Sequence, residues 1–140
     1  MQDIVLFIQH HWLLNLILFV VLLLLMLLEL LTQKQGGPRL SPLQVVQLIN
    51  HDNAVIVDVR NPALFVEGHI IDAVSIPADD IAEKWKKLEK FRSKPIILTC
   101  QSGTDSSRAA AFLTKQGFDI KTLTGGLRAW READMPLVKG

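Results

Sequence analysis

The feature that most constrains this chain is an apolar stretch near its N-terminus. Residues 12–28 contain no charged residue and one polar residue, Asn15, and Leu30 and Leu31 extend the stretch beyond Glu29. About 20 apolar residues are needed for a helix to cross a bilayer. The stretch is apolar on every face, so an amphipathic surface helix is disfavoured, and a soluble domain of about 100 residues could not bury it on all sides.

The flanks of this stretch indicate how it is used. A cleaved signal peptide would have a basic start and a small-residue cleavage site, whereas this chain begins with Asp3 and no Lys or Arg. Lys34 and Arg39 follow the stretch, and positively charged flanks stay in the cytoplasm. We therefore expect residues 1–31 to form a short tail and a retained transmembrane helix, with residues 12–31 in the lipid bilayer. The protein would be a single-pass protein of the inner (plasma) membrane, with its C-terminal domain in the cytoplasm.

Composition excludes several classes of function. Fifteen Lys and Arg residues against 14 Asp and Glu residues give a net charge of +1, which argues against nucleic acid as a partner. The single cysteine excludes an intrachain disulfide framework and a multi-cysteine zinc site. No metal-ligand cluster and no Gly-rich nucleotide loop is found, so we expect no metal and no cofactor.

The sequence after the linker, residues 32–38, predicts one small α/β domain over residues 39–140. Ser41 with Pro42 and Gln44 forms a capping-box pattern for a helix that continues to about Asn50. We predict strands at 54–59, 73–76, 95–100 and 120–123, and further helices at 61–67, 79–88, 106–116 and 125–132. This alternation predicts a three-layer sandwich around a mainly parallel sheet.

Cys100 ends one predicted buried strand, and the loop QSGTDS leads from it into a helix. Loop N–H groups and the helix N-terminus would favour an anionic sulfur, either a thiolate or a persulfide. Asp58 to Arg60 follow another central strand, and ligands of such sheets bind beyond the carboxyl ends of the strands. The alternative is a buried, inert cysteine.

Five motifs together resemble the rhodanese family of single-domain sulfurtransferases over roughly residues 40–138. They are, in order, DVR at 58–60, EGHI at 67–70, AVSIP at 73–77, CQSG at 100–103 and GGLRAW at 125–130. The resemblance implies a rhodanese-like fold in which Cys100 takes a sulfane sulfur from a donor as a persulfide and passes it to a thiol acceptor. It also implies that the loop cradles the persulfide, through Gln101, Ser102, Gly103, Thr104, Asp105 and Ser106. Asp58, Arg60, Glu67 and His69 match residues that brace the site and the fold.

Two loop positions depart from the family pattern. Thiosulfate-using members usually carry Arg after the cysteine and often a second basic residue two places after the glycine, where this chain has Gln101 and Asp105. An acidic Asp105 would repel the thiosulfate dianion unless it faces solvent or caps the helix, and Arg108 is the nearest residue that could compensate. We therefore expect weak thiosulfate activity. Phosphatase chemistry is disfavoured, because cysteine phosphatases need Arg six places after the cysteine, and that place holds Ser106.

Two functions follow from these patterns. The first is a membrane-anchored sulfurtransferase, and the alternative is a catalytically weak or inactive rhodanese-like binding or scaffold module of a membrane protein complex. The run of Lys84, Lys86, Lys87, Lys90, Arg92 and Lys94 is either a solvated face or a surface for anionic lipid or a partner.

Overall fold

The computed structural model describes residues 1–35, 37–101 and 103–140, with the backbone alone for residues 32–35 and Thr104. Gly36 of the predicted linker and Ser102 of the cysteine loop lie outside the described residues. The chain divides into two compact units, Met1–Gln33 and Lys34–Gly140.

The first unit consists of helix α1 (Gln2–His10) and helix α2 (Trp12–Gln35). Trp12–Leu31 has a mean hydropathy of 2.9, and this span is not buried within the part of the protein that the structure describes. The helix is long and apolar enough to span a membrane. The tail before Trp12 is helical, which the sequence pattern did not predict. Helix α2 continues past Leu31 into the predicted linker, because no Gly or Pro precedes Gly36.

The second unit is built on a five-stranded sheet. Its strands are β1 (Arg39–Leu40), β2 (Val55–Asp58), β3 (Val74–Ser75), β4 (Ile96–Thr99) and β5 (Ile120–Leu123). They lie in the order β1-β5-β4-β2-β3, and all four neighbouring pairs are parallel. The predicted α/β class with a parallel sheet is confirmed, and it places the ends of β2 and β4 side by side at one edge.

Helices cover both faces of this sheet. On one face α3 (Pro42–Asp52) and α7 (Gly126–Glu132) contribute Val45, Leu127 and Trp130 to a cluster with Ile56 and Ile97 of the central strands. The other face holds α6 (Thr104–Lys115) and the segment between β3 and β4, whose buried side chains pack on alternate strand residues such as Val57 and Leu98. The central strands are therefore buried on both sides, as their continuous β-branched runs predict.

The helix that follows the linker begins as the sequence predicts. The Ser41 hydroxyl accepts a hydrogen bond from the Gln44 N–H at 3.3 Å, and the Ser41 N–H donates to the Gln44 side chain at 2.9 Å. A shorter helix, α4 (Pro62–Glu67), begins after Asn61, whose side chain caps the Ala63 N–H at 2.9 Å. This helix follows β2 at the edge where Cys100 lies.

The predicted helix over 79–88 is wrong. A 3₁₀ turn at Ala78–Asp80, a single turn of α-helix α5 (Ile81–Lys84) and a 3₁₀ segment at Trp85–Phe91 stand in its place. The physical reason is spacing: Trp85, Leu88 and Phe91 recur every three residues, so a 3₁₀ helix directs all three toward the core.

The predicted helix over 106–116 begins two residues earlier than expected. Its first residue is Thr104, because Gly103 adopts a left-handed conformation, with φ +99°, and turns the chain directly into the helix. The helix N-terminus therefore lies closer to Cys100 than the sequence indicates.

Candidate active site

Cys100 lies at the centre of the carboxyl edge of the sheet. It follows β4, the middle strand, and it is 2% exposed and not in a disulfide. Helix α6 begins four residues later, at Thr104. The thiol is therefore held between the end of a buried strand and the N-terminus of a 12-residue helix, where the partial positive charge of the helix is concentrated.

The loop after Cys100 directs one backbone N–H group at the sulfur and places a hydroxyl oxygen beside it as an acceptor for the thiol. The Gly103 N–H donates to Cys100 Sγ at 2.8 Å, and Ser106 Oγ lies 3.6 Å from the same sulfur. The Ser106 hydroxyl in turn donates to the Gly103 carbonyl at 3.0 Å, and the Ser107 hydroxyl does so at 3.2 Å. An N–H group aimed at sulfur stabilises a thiolate or persulfide more than a neutral thiol, because the hydrogen bond to an anion is stronger.

The glycine pair at the start of α7, Gly125 and Gly126, holds the other side of this loop. The Leu127 N–H donates to the Cys100 carbonyl at 2.8 Å, and the Arg128 N–H donates to the Gln101 carbonyl at 3.2 Å. Gly126 has φ +59°, and a side chain there would overlap the Cys100 carbonyl oxygen. The GGLRAW motif thus supports the cysteine loop through its backbone, and only glycine allows this approach.

A buried ion pair braces the neighbouring strand end. Arg60 Nη2 lies 2.7 Å from Asp58 Oδ2, and both side chains are almost fully buried. Arg60 also donates to the Gly68 carbonyl at 2.7 Å. The pair ties β2 to the end of α4, as the resemblance implies for these residues. His69 stacks on Phe65 with ring centroids 3.8 Å apart, which fixes the same turn from its other side.

Two clefts open beside the cysteine loop. The larger, of about 630 Å³, has Gln101, Asp105 and Arg108 on one wall and Asp79 and Asp80 on another. Asp105 Oδ1 lies 3.5 Å from Arg108 Nη2, and both side chains are more than half exposed. The smaller cleft, of about 350 Å³, is lined by Arg39, Ser107, Thr124 and both Gly103 and Gly125, with parts of β5.

The structure brings together most of the residues singled out from the sequence. Gly103 and Ser106 contact the Cys100 sulfur, whereas Gln101, Asp105 and Arg108 line the larger cleft. Asp58 and Arg60 lie behind the loop. Ser102 lies outside the described residues, and only the backbone of Thr104 is described. Among the described residues, no three His, Cys, Asp or Glu side chains form a group that could hold a metal ion.

Sequence reasoning missed four residues that line the clefts. The sequence pattern places Asp79 and Asp80 only at the start of the predicted helix over 79–88 and Arg39 only beside the apolar stretch, and it indicates no role for Ser107. Arg39 reaches the site because β1 pairs with β5, a contact with no local signal. Ser107 could have been found, because it lies one residue after the loop motif, half-buried in the first turn of α6.

Comparison with known proteins settles the family. The family described as Rhodanese-like domain matches residues 41–133. This chain belongs to the rhodanese family. In fold, a rhodanese-related protein from Thermoplasma volcanium superposes with a TM-score of 0.68 at 30% identity, covering 74% of this chain and 99% of its own.

Two kinds of rhodanese relative are similar to this chain. YibN of Escherichia coli is 33% identical over 100% of this chain and 99% of its own length, and a protein of Buchnera aphidicola (Schizaphis graminum) is 34% identical over 97% and 93%. Both carry the name of an uncharacterized protein. A thiosulfate sulfurtransferase, GlpE of Pseudomonas syringae, is 36% identical over 64% of this chain and 84% of its own. The first kind matches along the whole chain, including the apolar helix.

Proposed function

We propose that this rhodanese-family protein is a membrane-anchored sulfurtransferase that carries a sulfane sulfur on Cys100. The observation that carries the proposal is the 2.8 Å hydrogen bond from the Gly103 N–H to Cys100 Sγ, made at the N-terminus of α6. A buried structural cysteine needs no such donor, whereas a sulfur that becomes anionic in each half of a cycle does. The relatives named thiosulfate sulfurtransferase support the same reaction class.

The proposed cycle transfers one sulfur atom without net oxidation or reduction. The Cys100 thiolate attacks the outer sulfur of the donor, a sulfur–sulfur bond forms, and the donor's own sulfur–sulfur bond breaks. With thiosulfate, sulfite leaves with the electron pair and Cys100 is left as an anionic persulfide. An acceptor thiolate then attacks the outer persulfide sulfur, and the Cys100 thiolate is regenerated as the leaving group.

The larger cleft indicates which donor this site prefers. Asp79, Asp80 and Asp105 place three carboxylates along it, and Asp80 is paired with Lys84 at 3.1 Å and Asp105 with Arg108 at 3.5 Å. Arg60, which also lines this cleft, is already paired with Asp58. Each described cation that lines this cleft is therefore already paired, and Asp79 makes no ion pair with a residue that the structure describes. Thiosulfate carries two negative charges, so such a cleft attracts it weakly and the Asp79 carboxylate repels it. A persulfide group carries at most one negative charge, against two on thiosulfate, and we propose a persulfide of a small thiol or a protein as the donor.

The membrane anchor is the second part of the proposal. Trp12–Leu31 supplies the length and hydropathy of a spanning helix, and Lys34 and Arg39 on its C-terminal side favour a cytoplasmic domain in the inner membrane. A reporter enzyme that is active only in the cytoplasm, fused after Gly140, tests the orientation. Activity of this reporter, with silence of an export-dependent reporter at the same position, is the expected result. The reverse pattern would overturn the orientation.

The sulfur-carrier proposal is tested by intact-mass spectrometry of the full chain in detergent. The chain is incubated with thiosulfate or with a small-molecule persulfide, beside Cys100→Ser. We expect the parent chain to gain the mass of one sulfur atom, in a larger fraction of molecules with the persulfide than with thiosulfate. We expect no gain on Cys100→Ser. Ser93→Ala is the matched control, because it removes an exposed hydroxyl outside the cysteine loop and leaves the sulfur nucleophile in place.

A binding module of a membrane protein complex is the second candidate. It is favoured by the acidic wall and by the 2% exposure of Cys100, which restricts access to the thiol. The same mass experiment separates the two candidates. A folded chain that gains no sulfur from either donor would support the binding module and contradict the sulfurtransferase.

A further inference from the structure

Four exposed lysines form a basic patch on the segment between β3 and β4. The patch consists of Lys86, Lys87, Lys90 and Lys94. Residues 83–94 carry six basic and two acidic residues, a net charge of +4, whereas the rest of the chain carries nine basic and twelve acidic residues, a net charge of −3. The net positive charge of this protein therefore comes from one segment that makes up about one twelfth of its length.

The charge of the patch is not cancelled by neighbouring carboxylates. Three acidic side chains belong to this segment or touch it, and two of them are already committed, since Asp80 pairs with Lys84 at 3.1 Å and Glu89 with Arg92 at 2.8 Å. The third, Glu83, makes no ion pair with a residue that the structure describes, so one such carboxylate faces four lysines. The hydrogen bond from Arg92 holds the pKa of the Glu89 carboxyl below its usual value. None of the four patch lysines makes an ion pair with a residue that the structure describes.

The local backbone explains why three of these lysines, Lys86, Lys87 and Lys90, point outward together. Trp85, Leu88 and Phe91 face the core at intervals of three residues, which leaves the positions between them for solvent. The aromatic rings of Trp85 and Phe91 are packed against the core, so they are not free to insert into a lipid layer. An interaction of this surface is therefore electrostatic.

The patch ends near the edge of the sheet that lies opposite Cys100, at the amino end of β4. Lys94 comes just before β4, which begins at Ile96, and Cys100 follows the other end of the same strand. Arg92, beside the patch, donates to the Gln116 carbonyl at 2.8 Å, after the last residue of α6, the helix whose first residue adjoins the thiol loop. Asp72 shares a shallow cleft with Lys94 at this edge, and Asp119 there is paired with Lys121 at 2.9 Å.

The chain also enters the domain at this edge. A side chain at Gly37 would overlap the carbonyl oxygen of Ile120, the first residue of β5, and the Thr122 N–H donates to the Pro38 carbonyl at 3.0 Å. The segment that connects the domain to the apolar helix therefore reaches the sheet beside the amino ends of its central strands. Residues 32–38 span at most roughly 25 Å even when fully extended, so an anchored domain stays close to the bilayer.

We propose that the basic patch binds the anionic surface of the membrane in which the protein is anchored, so that the Cys100 loop faces away from the bilayer. This inference rests on the anchor in the proposed function and is independent of sulfur transfer. The tether supplies a high local concentration of lipid headgroups, and each lysine near an anionic surface strengthens binding by roughly fivefold at low salt. With the opposite edge outward, a donor or acceptor in solution reaches both clefts.

The test compares the full chain in lipid nanodiscs made of phosphatidylcholine alone or with phosphatidylglycerol. Each lysine is labelled with an amine-reactive reagent, and the label is quantified residue by residue by peptide mass spectrometry. We expect labelling of the four patch lysines to fall by roughly threefold or more with phosphatidylglycerol and to recover in high salt, since the attraction is screened. Lys139, outside the patch, is the internal control and should label equally in both lipids.

Each other outcome overturns the inference in a distinguishable way. Equal labelling of the patch in both lipids would refute lipid binding and leave an acidic protein as the occupant of the patch. An equal fall at Lys139 would indicate nonspecific attraction. A chain that does not enter nanodiscs of either composition would refute the anchor itself.

A pair of charge-matched variants gives a second readout. Lys86→Gln, Lys87→Gln and Lys90→Gln combined should abolish the lipid-dependent protection of Lys94. Arg128→Gln, Arg131→Gln and Lys139→Gln combined remove the same charge from the exposed surface of α7 and the C-terminal tail, and should leave that protection unchanged. Equal loss in both variants would contradict a localised binding surface.

Discussion

Substituting Gly126 by alanine should lower the stability of the domain and also disturb the cysteine loop. Gly126 has φ +59°, a region that costs an L-residue about 1–2 kcal/mol. A Cβ there would overlap the Cys100 carbonyl oxygen and lie 2.9 Å from the carbonyl carbons of both Cys100 and Gln101. Those atoms are backbone and cannot rotate away, so α7 or the loop must move. This movement adds about 1–3 kcal/mol to the cost of the positive φ.

The matched control is Gly117→Ala. Gly117 also has a positive φ, +90°, but its Cβ would meet only the end of the flexible Arg92 side chain, at 3.0 Å. We expect Gly126→Ala to lower the free energy of unfolding by about 2–5 kcal/mol and Gly117→Ala by about 1–2 kcal/mol. Urea denaturation of the 34–140 fragment, followed by the fluorescence of its tryptophans, Trp85 and Trp130, measures both.

Sulfur loading on Cys100 should separate the two variants further. Gly126→Ala moves the carbonyl that positions the cysteine, so loading by a persulfide donor should fall even where the domain is folded. Gly117→Ala should load normally. Equal stability and equal loading of the two variants would refute the view that the glycine pair supports the cysteine loop.

Three further predictions concern the domain boundary, the brace and the donor. A fragment starting at Lys34 should be soluble and folded by circular dichroism, whereas one starting at residue 41 lacks β1 and should unfold at lower urea; aggregation of the longer fragment would contradict the boundary. Arg60→Met leaves the Asp58 carboxylate buried without its partner and should lower the free energy of unfolding by about 3–5 kcal/mol. The exposed Arg131→Met should lower it by less than about 0.5 kcal/mol. Equal losses in the two variants would show that the ion pair is not a brace. Asp105→Arg should raise thiosulfate turnover several-fold, because it reverses the charge beside Gln101. Glu132→Arg is the control, since it makes the same change of charge elsewhere. An unchanged rate in Asp105→Arg would place Asp105 outside the donor's path.

Local signals predicted much of the fold. The capping box at Ser41, the β-branched runs of β2 and β4, and the Gly-containing loop after Cys100 each depend on neighbours within a few residues. Such features follow from backbone preferences and hydrophobic pattern, so the sequence was sufficient to identify them. The position of Cys100 at a strand end followed for the same reason.

The remaining features depend on contacts between distant segments. Strand β1 has only two residues and exists because Arg39 and Leu40 pair with Thr122 and Leu123. The breakdown of the predicted helix at 79–88 depends on which side chains the core accepts. Arg39 enters the smaller cleft for the same long-range reason, and no pattern near it indicates the site.

The most direct test of the central claim is a transfer experiment in two steps. The full chain is loaded with isotopically labelled sulfur from a persulfide donor, freed of that donor, and then given a small thiol acceptor. The account predicts that the label appears on Cys100 in the first step and moves to the acceptor in the second, with the thiol of Cys100 regenerated. A label that never binds Cys100, or that remains on it when the acceptor is in excess, would contradict sulfur transfer.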